Sequence, residues 1–207
     1  MPNWCVSEMA VYTTNKNLFN NLEMVHTKLK KIVDENDTTT WDLFKVFKIF
    51  EPTWSENKIC DSGLYNRGSI VHLGNIYDMK GGGKCFNVIY ESAWESMISG
   101  WEYLLDKYGL KQVTIAEECG CGVFINTDKE GLFFTAKYFL YSYINDDYNE
   151  ERFENEQQVV DYLNKEMFRG MPTKLETFED AQEYIEKFNR KNEDESWYIY
   201  LEKYCDE

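Results

Sequence analysis

The chain has 207 residues, with 37 Asp and Glu against 22 Lys and Arg, and carries a formal charge of −15. So anionic a surface repels phosphate backbones, which sets direct DNA or RNA binding aside and favours basic partners. With 43% hydrophobic and 16% aromatic residues the composition is that of a folded chain and not a disordered one, and no apolar run approaches the roughly 20 residues of a membrane helix. The charge is uneven: residues 145–207 hold 19 acidic and 8 basic side chains, −11 of the total.

In chain order, residues 4–12 read as a strand with Val6, Met9 and Val11 as apolar positions. A helix is predicted to about Val33, because Leu18, Leu22, Val25, Leu29 and Ile32 recur at helical spacing and form one stripe. Residues 34–40 are a polar break. Residues 41–50 predict a short helix or a buried loop, and residues 53–68 irregular chain. Two strands follow at 69–75 and 85–90, joined by a glycine-rich tip from Lys80 to Lys84. Ser92-Ala93-Trp94-Glu95 has the pattern of a capping box. It predicts a helix carrying Trp94, Ile98, Trp101 and Leu105, joined by Met97 and Leu104 and stopped by Gly109. Strands are predicted at 111–117, 122–126 and 132–143. Residues 146–154 read as an acidic crossing. A helix is predicted at 155–168, ended by Gly170 and Pro172, and a second one is capped by Thr177-Phe178-Glu179-Asp180, before a last strand at 197–204.

The order strand, helix, two strands, helix, strands is that of a split βαβ unit. The expected fold is α+β: a ferredoxin-like antiparallel sheet with helices on one face over residues 1–144, followed by an acidic α-helical extension with a final strand over 145–207.

The opening Met1-Pro2-Asn3-Trp4-Cys5 resembles the start of the Api92-like proteins, a family from phages and mobile elements defined by a domain of unknown function. Glu91-Ser92-Ala93-Trp94-Glu95 and the acidic, glycine-containing segment from Ile115 to Phe124 are similar to two further family segments. The likeness covers about the first 140 residues. Val6-Ser7 departs from the family pattern, and Leu73-Gly74-Asn75-Ile76-Tyr77 stands where a Trp-Gly-Thr-Lys-Trp motif is usual. The resemblance implies a ferredoxin-like fold and a mobile-element origin. It carries over no catalytic residue.

Six cysteines (Cys5, Cys60, Cys85, Cys119, Cys121 and Cys205) accompany a sizeable core and no recognisable secretory signal, so reduced thiols in a cytoplasmic protein are expected. Cys119-Gly120-Cys121 is the sharpest cluster. It offers two thiolates where a tetrahedral zinc site needs four ligands, and Glu117 and Glu118 beside it oppose thiolate formation. A tight glycine turn is the expectation, and a small cysteine- or metal-dependent enzyme centred on this pair is the alternative. His72 is a formal base for a Cys–His pair, and His26 lies on the first helix. The tip from Lys80 to Lys84 lacks P-loop spacing, and residues 146–156 lack the ligand spacing of a calcium loop.

Tyr138, Phe139, Tyr141, Tyr143 and Tyr148 lead into the acidic region, and Trp197, Tyr198 and Tyr200 close it. They read equally as core or as a partner-binding surface with rings as anchors and carboxylates for steering. The functional expectation is a non-enzymatic interaction protein with no cofactor, metal or catalytic residue. Its acidic surface would mimic nucleic acid and inhibit a basic host protein such as a nuclease, in the manner of anti-CRISPR or anti-restriction factors. The residues expected to carry this are Asp146, Asp147, Glu150, Glu151, Glu154, Glu179, Asp180, Glu183, Glu193, Asp194 and Glu195.

Overall fold

The computed structural model describes residues 3–35, 43–53, 68–167, 174–192 and 197–205. The protein is a mixed α and β molecule with antiparallel sheets and, among the described residues, five α-helices. It divides into two compact units, Met1–Thr127 and Asp128–Glu207.

In the first unit the strands are β1 (Trp4–Thr13), β2 (Gly68–Leu73), β3 (Tyr77–Asp78), β4 (Lys84–Ala93), β5 (Lys111–Glu118) and β6 (Val123–Asn126). They pair in the order β2-β4-β1-β5-β6, with β3 added on β4. β1 is central, in antiparallel register with β4 from Trp4↔Ala93 to Thr13↔Lys84. Its period of two sends Met9 and Val11 into one core with Phe86 and Val88 of β4. Helices α1 (Phe19–Glu35), α2 (Leu43–Phe50) and α3 (Ile98–Asp106) close that core. The α1 stripe Leu22, Val25, Leu29 and Ile32 is buried there, as are Trp101, Leu104 and Leu105 of α3. Gly100 lets α3 approach α2, since a Cβ on it would sit 3.0 Å from the Phe47 ring. Gly109, at φ 65°, ends the helix region as predicted.

In the second unit β7 (Tyr138–Ile144) lies between β8 (Asp147–Phe153) and β9 (Tyr198–Lys203), all antiparallel. Helices α4 (Glu156–Tyr162), continued by a π turn at Leu163–Met167, and α5 (Phe178–Lys191) cover one face. The core joins Leu140 and Ile199 of the sheet to Val159, Val160 and Leu163, and to Ala181 and Ile185 of α5. Asn155 caps α4 by accepting from the Gln158 amide. Thr177 and Asp180 cap α5 reciprocally, at 3.1 Å and 2.9 Å, as the sequence predicts.

Three expectations change. Residues 92–95 are not a capping box: pairing with β1 carries β4 to Ala93, and the Ser92 hydroxyl donates to the Glu95 carbonyl instead. α3 starts at Ile98 after Met97, without a side-chain cap, and Trp94 stands outside it at φ 68°. Residues 146–154 are not a loop crossing but largely strand β8, because Asn145 and Asp146, at φ 54° and 65°, make a two-residue turn that returns the chain along β7. Consequently the described part of the region expected to be a helical extension with a final strand contains two strands beside two helices, and the compact units part between Thr127 and Asp128 rather than at the expected boundary of 144. Residues 41–50 resolve as helix from Leu43. Of the expected break at 34–40, Asp34 and Glu35 belong to α1; the rest of it, most of the irregular stretch 53–68, and the helix stop at Gly170 and Pro172 lie outside the described residues. No helix among the described residues is long and apolar enough to cross a membrane.

Candidate functional site: a tyrosine face with carboxylates

Strand alternation decides the site. Tyr138, Leu140 and Ile144 of β7 turn to the helices, so Tyr141 and Tyr143 turn the other way. The register places Tyr143 between Tyr148 of β8 and Tyr198 of β9, and Tyr141 between Glu150 and Tyr200. Five tyrosines thus share the face opposite the helices. Their rings touch: centroids are 4.6 Å apart for Tyr143–Tyr148, 5.3 Å for Tyr198–Tyr200, 5.7 Å for Tyr141–Tyr198 and 5.8 Å for Tyr141–Tyr148 and Tyr143–Tyr198. Tyr148 is 63% exposed and Tyr200 50% exposed. Large rings left this open are unusual, because burying them is favourable; a contiguous patch of them marks an interaction surface.

The polar ends of the rings are tied down. The Tyr143 hydroxyl donates to Asp146 Oδ1 at 2.6 Å, and the Tyr141 and Tyr198 hydroxyls lie 3.2 Å apart. The bond to Asp146 raises the Tyr143 phenol above its ordinary pKa, and burial followed by the Tyr198 hydrogen bond raises Tyr141. Both are neutral hydrogen-bonding groups at physiological pH. Glu150 lies in register beside Tyr141, and Arg152 and Glu202 flank Phe139 in the next row. The local charge around the rings is therefore negative.

The predicted carboxylates are spread over several places. β8 sends Asp147 and Glu151 to the helix side of the sheet and Glu150 to the tyrosine side. Asp146 is in the hairpin turn and holds Tyr143. Glu154 accepts from the Thr135 hydroxyl at 2.5 Å. Glu179 and Asp180 lie in the first turn of α5, where Asp180 belongs to the cap, and Glu183 pairs with Lys187 at 2.6 Å. Glu193, Asp194 and Glu195 lie outside the described residues. Of the described members of the predicted set, Asp146 and Glu150 are brought to the tyrosine face.

By sequence the aromatics divide evenly between core and surface; the structure divides them by strand face. Tyr138 packs on Phe178 at 5.1 Å, and the five others named above face outward. The signal that finds them is the spacing 141, 143 and 198, 200, combined with an Asn-Asp turn between two alternating runs.

In the cysteine turn a carboxylate holds the backbone and faces a thiol. Glu118 accepts from the backbone amides of Gly120, at 2.8 Å, and of Cys121. Its hydrogen bond and charge raise the Cys121 thiol, whereas a nucleophilic thiol needs the opposite. Asn3 donates to Cys121 Sγ, so the family-like opening packs on this turn. Cys5 is buried, and burial pushes its thiol to about 12. His26 Nε2 is 2.9 Å from the Gly74 carbonyl and its ring stands edge-on to Phe86, a structural role. His72 lies on β2. At the glycine-rich tip Lys84 is engaged with Glu23 at 2.8 Å. Among the described residues no three His, Cys, Asp or Glu side chains converge as metal ligands.

No family model matches the chain, and neither a curated protein nor a solved structure matches it.

Proposed function

We propose that the protein is a non-enzymatic interaction module that binds a basic protein through the tyrosine face of its second unit. The observation that carries the reading is five tyrosines linked by a chain of ring contacts on an open sheet face with Asp146 and Glu150 at their edge. Tyrosine supplies large contact area at low entropic cost. Stacked guanidinium groups gain roughly 0.5–1 kcal/mol on each exposed ring, and the anionic surround raises the rate of encounter with a cationic partner. Single-stranded nucleic acid also stacks on aromatic sheet faces, but proteins that use it so surround the rings with positive charge; here the sign is reversed. A nucleic-acid-handling protein with an arginine-rich face, such as a host nuclease, fits best, and covering that face is inhibition.

Two further parts of the reading belong with it. The strand order β2-β4-β1-β5, with α1 leading from β1 and α3 leading into β5, supports a ferredoxin-like first unit. An origin in a phage or mobile element rests on the likeness of the opening five residues.

The test is capture of partners from a bacterial lysate, followed by binding of the purified partner at low and moderate salt. A basic partner is expected, with affinity falling as salt rises and at least about tenfold weaker binding for a Tyr148→Ala, Tyr200→Ala variant, the loss of two aromatic anchors. Recovery of only neutral or acidic partners, or unchanged binding by that variant, overturns the reading.

A further inference from the structure

The helix side of the β7–β8 hairpin carries a second feature, on the opposite sheet face from the tyrosines. A cleft of about 740 Å³ is lined by Ser142, Asp147, Asn149, Glu151, Tyr162 and Glu166, among others. This is within the range of small-molecule sites. We infer that the cleft is a binding site for an alkylammonium group, supplied either by a free polyamine or by a lysine side chain.

Four observations carry this. Asp147, Glu151 and Glu166 contribute three carboxylates, and none of the described residues that line the cleft is a lysine or arginine. Lys165 pairs with Glu166 from alongside at 2.6 Å, and neither Asp147 nor Glu151 has an ion-pair partner among the described residues. Ser142, on the central strand, is only 2% exposed, yet its hydroxyl has no hydrogen-bond partner among the described residues. The residue is buried, but its hydroxyl oxygen keeps an opening to the cleft. Tyr162 accepts a hydrogen bond from Asn149, which anchors its ring at the cleft wall. Among the described residues the carboxylates do not converge as the ligands of a metal site do, so the cleft suits organic ammonium groups better than a bare metal ion. An ammonium supplies three donors, for which these carboxylates and the Ser142 oxygen are the acceptors that the cleft offers.

The experiment is calorimetric titration of the full chain at constant ionic strength, with spermidine in one arm, Nα-acetyl-lysine amide in a second and magnesium chloride in a third. Amide NMR shifts are followed in each. Saturable one-to-one binding is expected for at least one amine, with shifts centred on Ser142, Asn149 and Glu151. Binding weakens about tenfold in Glu151→Gln, as for a lost hydrogen bond to a charged group, and by a smaller factor in Ser142→Ala. Glu166→Gln serves as a second variant. Binding by spermidine alone identifies a free polyamine; binding by both amines identifies the shared ammonium group, as a lysine side chain presents it. Shifts spread over all acidic surfaces, equal competition by magnesium, or full binding by both carboxamide variants overturns the inference. Tyr148→Ala, Tyr200→Ala retains amine binding, so failure here is distinct from failure of the tyrosine-face reading.

Discussion

Asp146 does two things at once: it occupies a left-handed turn position and accepts from Tyr143. For a residue without a short polar side chain that backbone region costs about 1–2 kcal/mol. Asp146→Ala is therefore expected to lower stability by about that much, and Asp146→Gly by less, in urea titrations. Asp146→Asn keeps the turn but removes the charge. Because that hydrogen bond raises the Tyr143 phenol, alkaline titration followed by phenolate absorbance is expected to show one tyrosine of Asp146→Asn ionising closer to the ordinary value of 10.0. The sign is fixed: with the folded value raised, the contribution is present below pH 10 and is lost as pH rises through the folded value. At the cysteine turn the same logic applies to Cys121. Its thiol is expected to alkylate slowly at neutral pH, and faster in Glu118→Gln, which removes the charge that holds the thiol protonated.

Helix α5 shows how an element is specified locally. Its capping box holds Asp180 below its ordinary value of 3.8 through the Thr177 amide and hydroxyl and the Glu176 amide. The contribution is complete above that value and disappears as pH falls through the lower folded value. Thr177→Ala is expected to lose about 0.5–2 kcal/mol at neutral pH, and its stability to fall less steeply than that of the parent as acid is added below pH 4. Helix α1 depends on packing instead. Leu29→Ala empties a fully buried position in the first core and is expected to lose about 2–5 kcal/mol by chemical denaturation. These two helices were legible in sequence because cap and stripe lie within a few residues of each other. The start of α3 was not. Ser92 and Glu95 have cap spacing, but β1 claims Ser92 as a strand residue, and the longer ladder with β1 outweighs a local cap.

At the scale of the molecule a net charge of −15 makes like-charge repulsion a standing cost of the compact state. Thermal stability is expected to rise by a few degrees from about 10 mM to about 150 mM NaCl, as the screening length falls from about 30 Å to about 8 Å. A flat profile means that the carboxylates are already matched by neighbouring cations. Much of the acidic surface is committed locally: Glu183 and Glu186 to α5 cations, Asp180 to its cap and Asp146 to Tyr143. Alternation along β8 sends Asp147 and Glu151 to one sheet face and Glu150 to the other.

The amino-acid sequence alone determined the class of the protein: its antiparallel α+β composition, the α1 stripe, the α5 cap, the carboxylates beside the cysteine turn and the sign of the net charge. All of these depend on residues close together in the chain or on a sum over all of them. Tertiary structure alone decided which tyrosines face solvent and where the carboxylates go. Those outcomes depend on pairing β7 with both β8 and β9, which are far apart in the chain, with α4 and α5 between them. A strand's period of two places a side chain on one face or the other only once its partners are chosen.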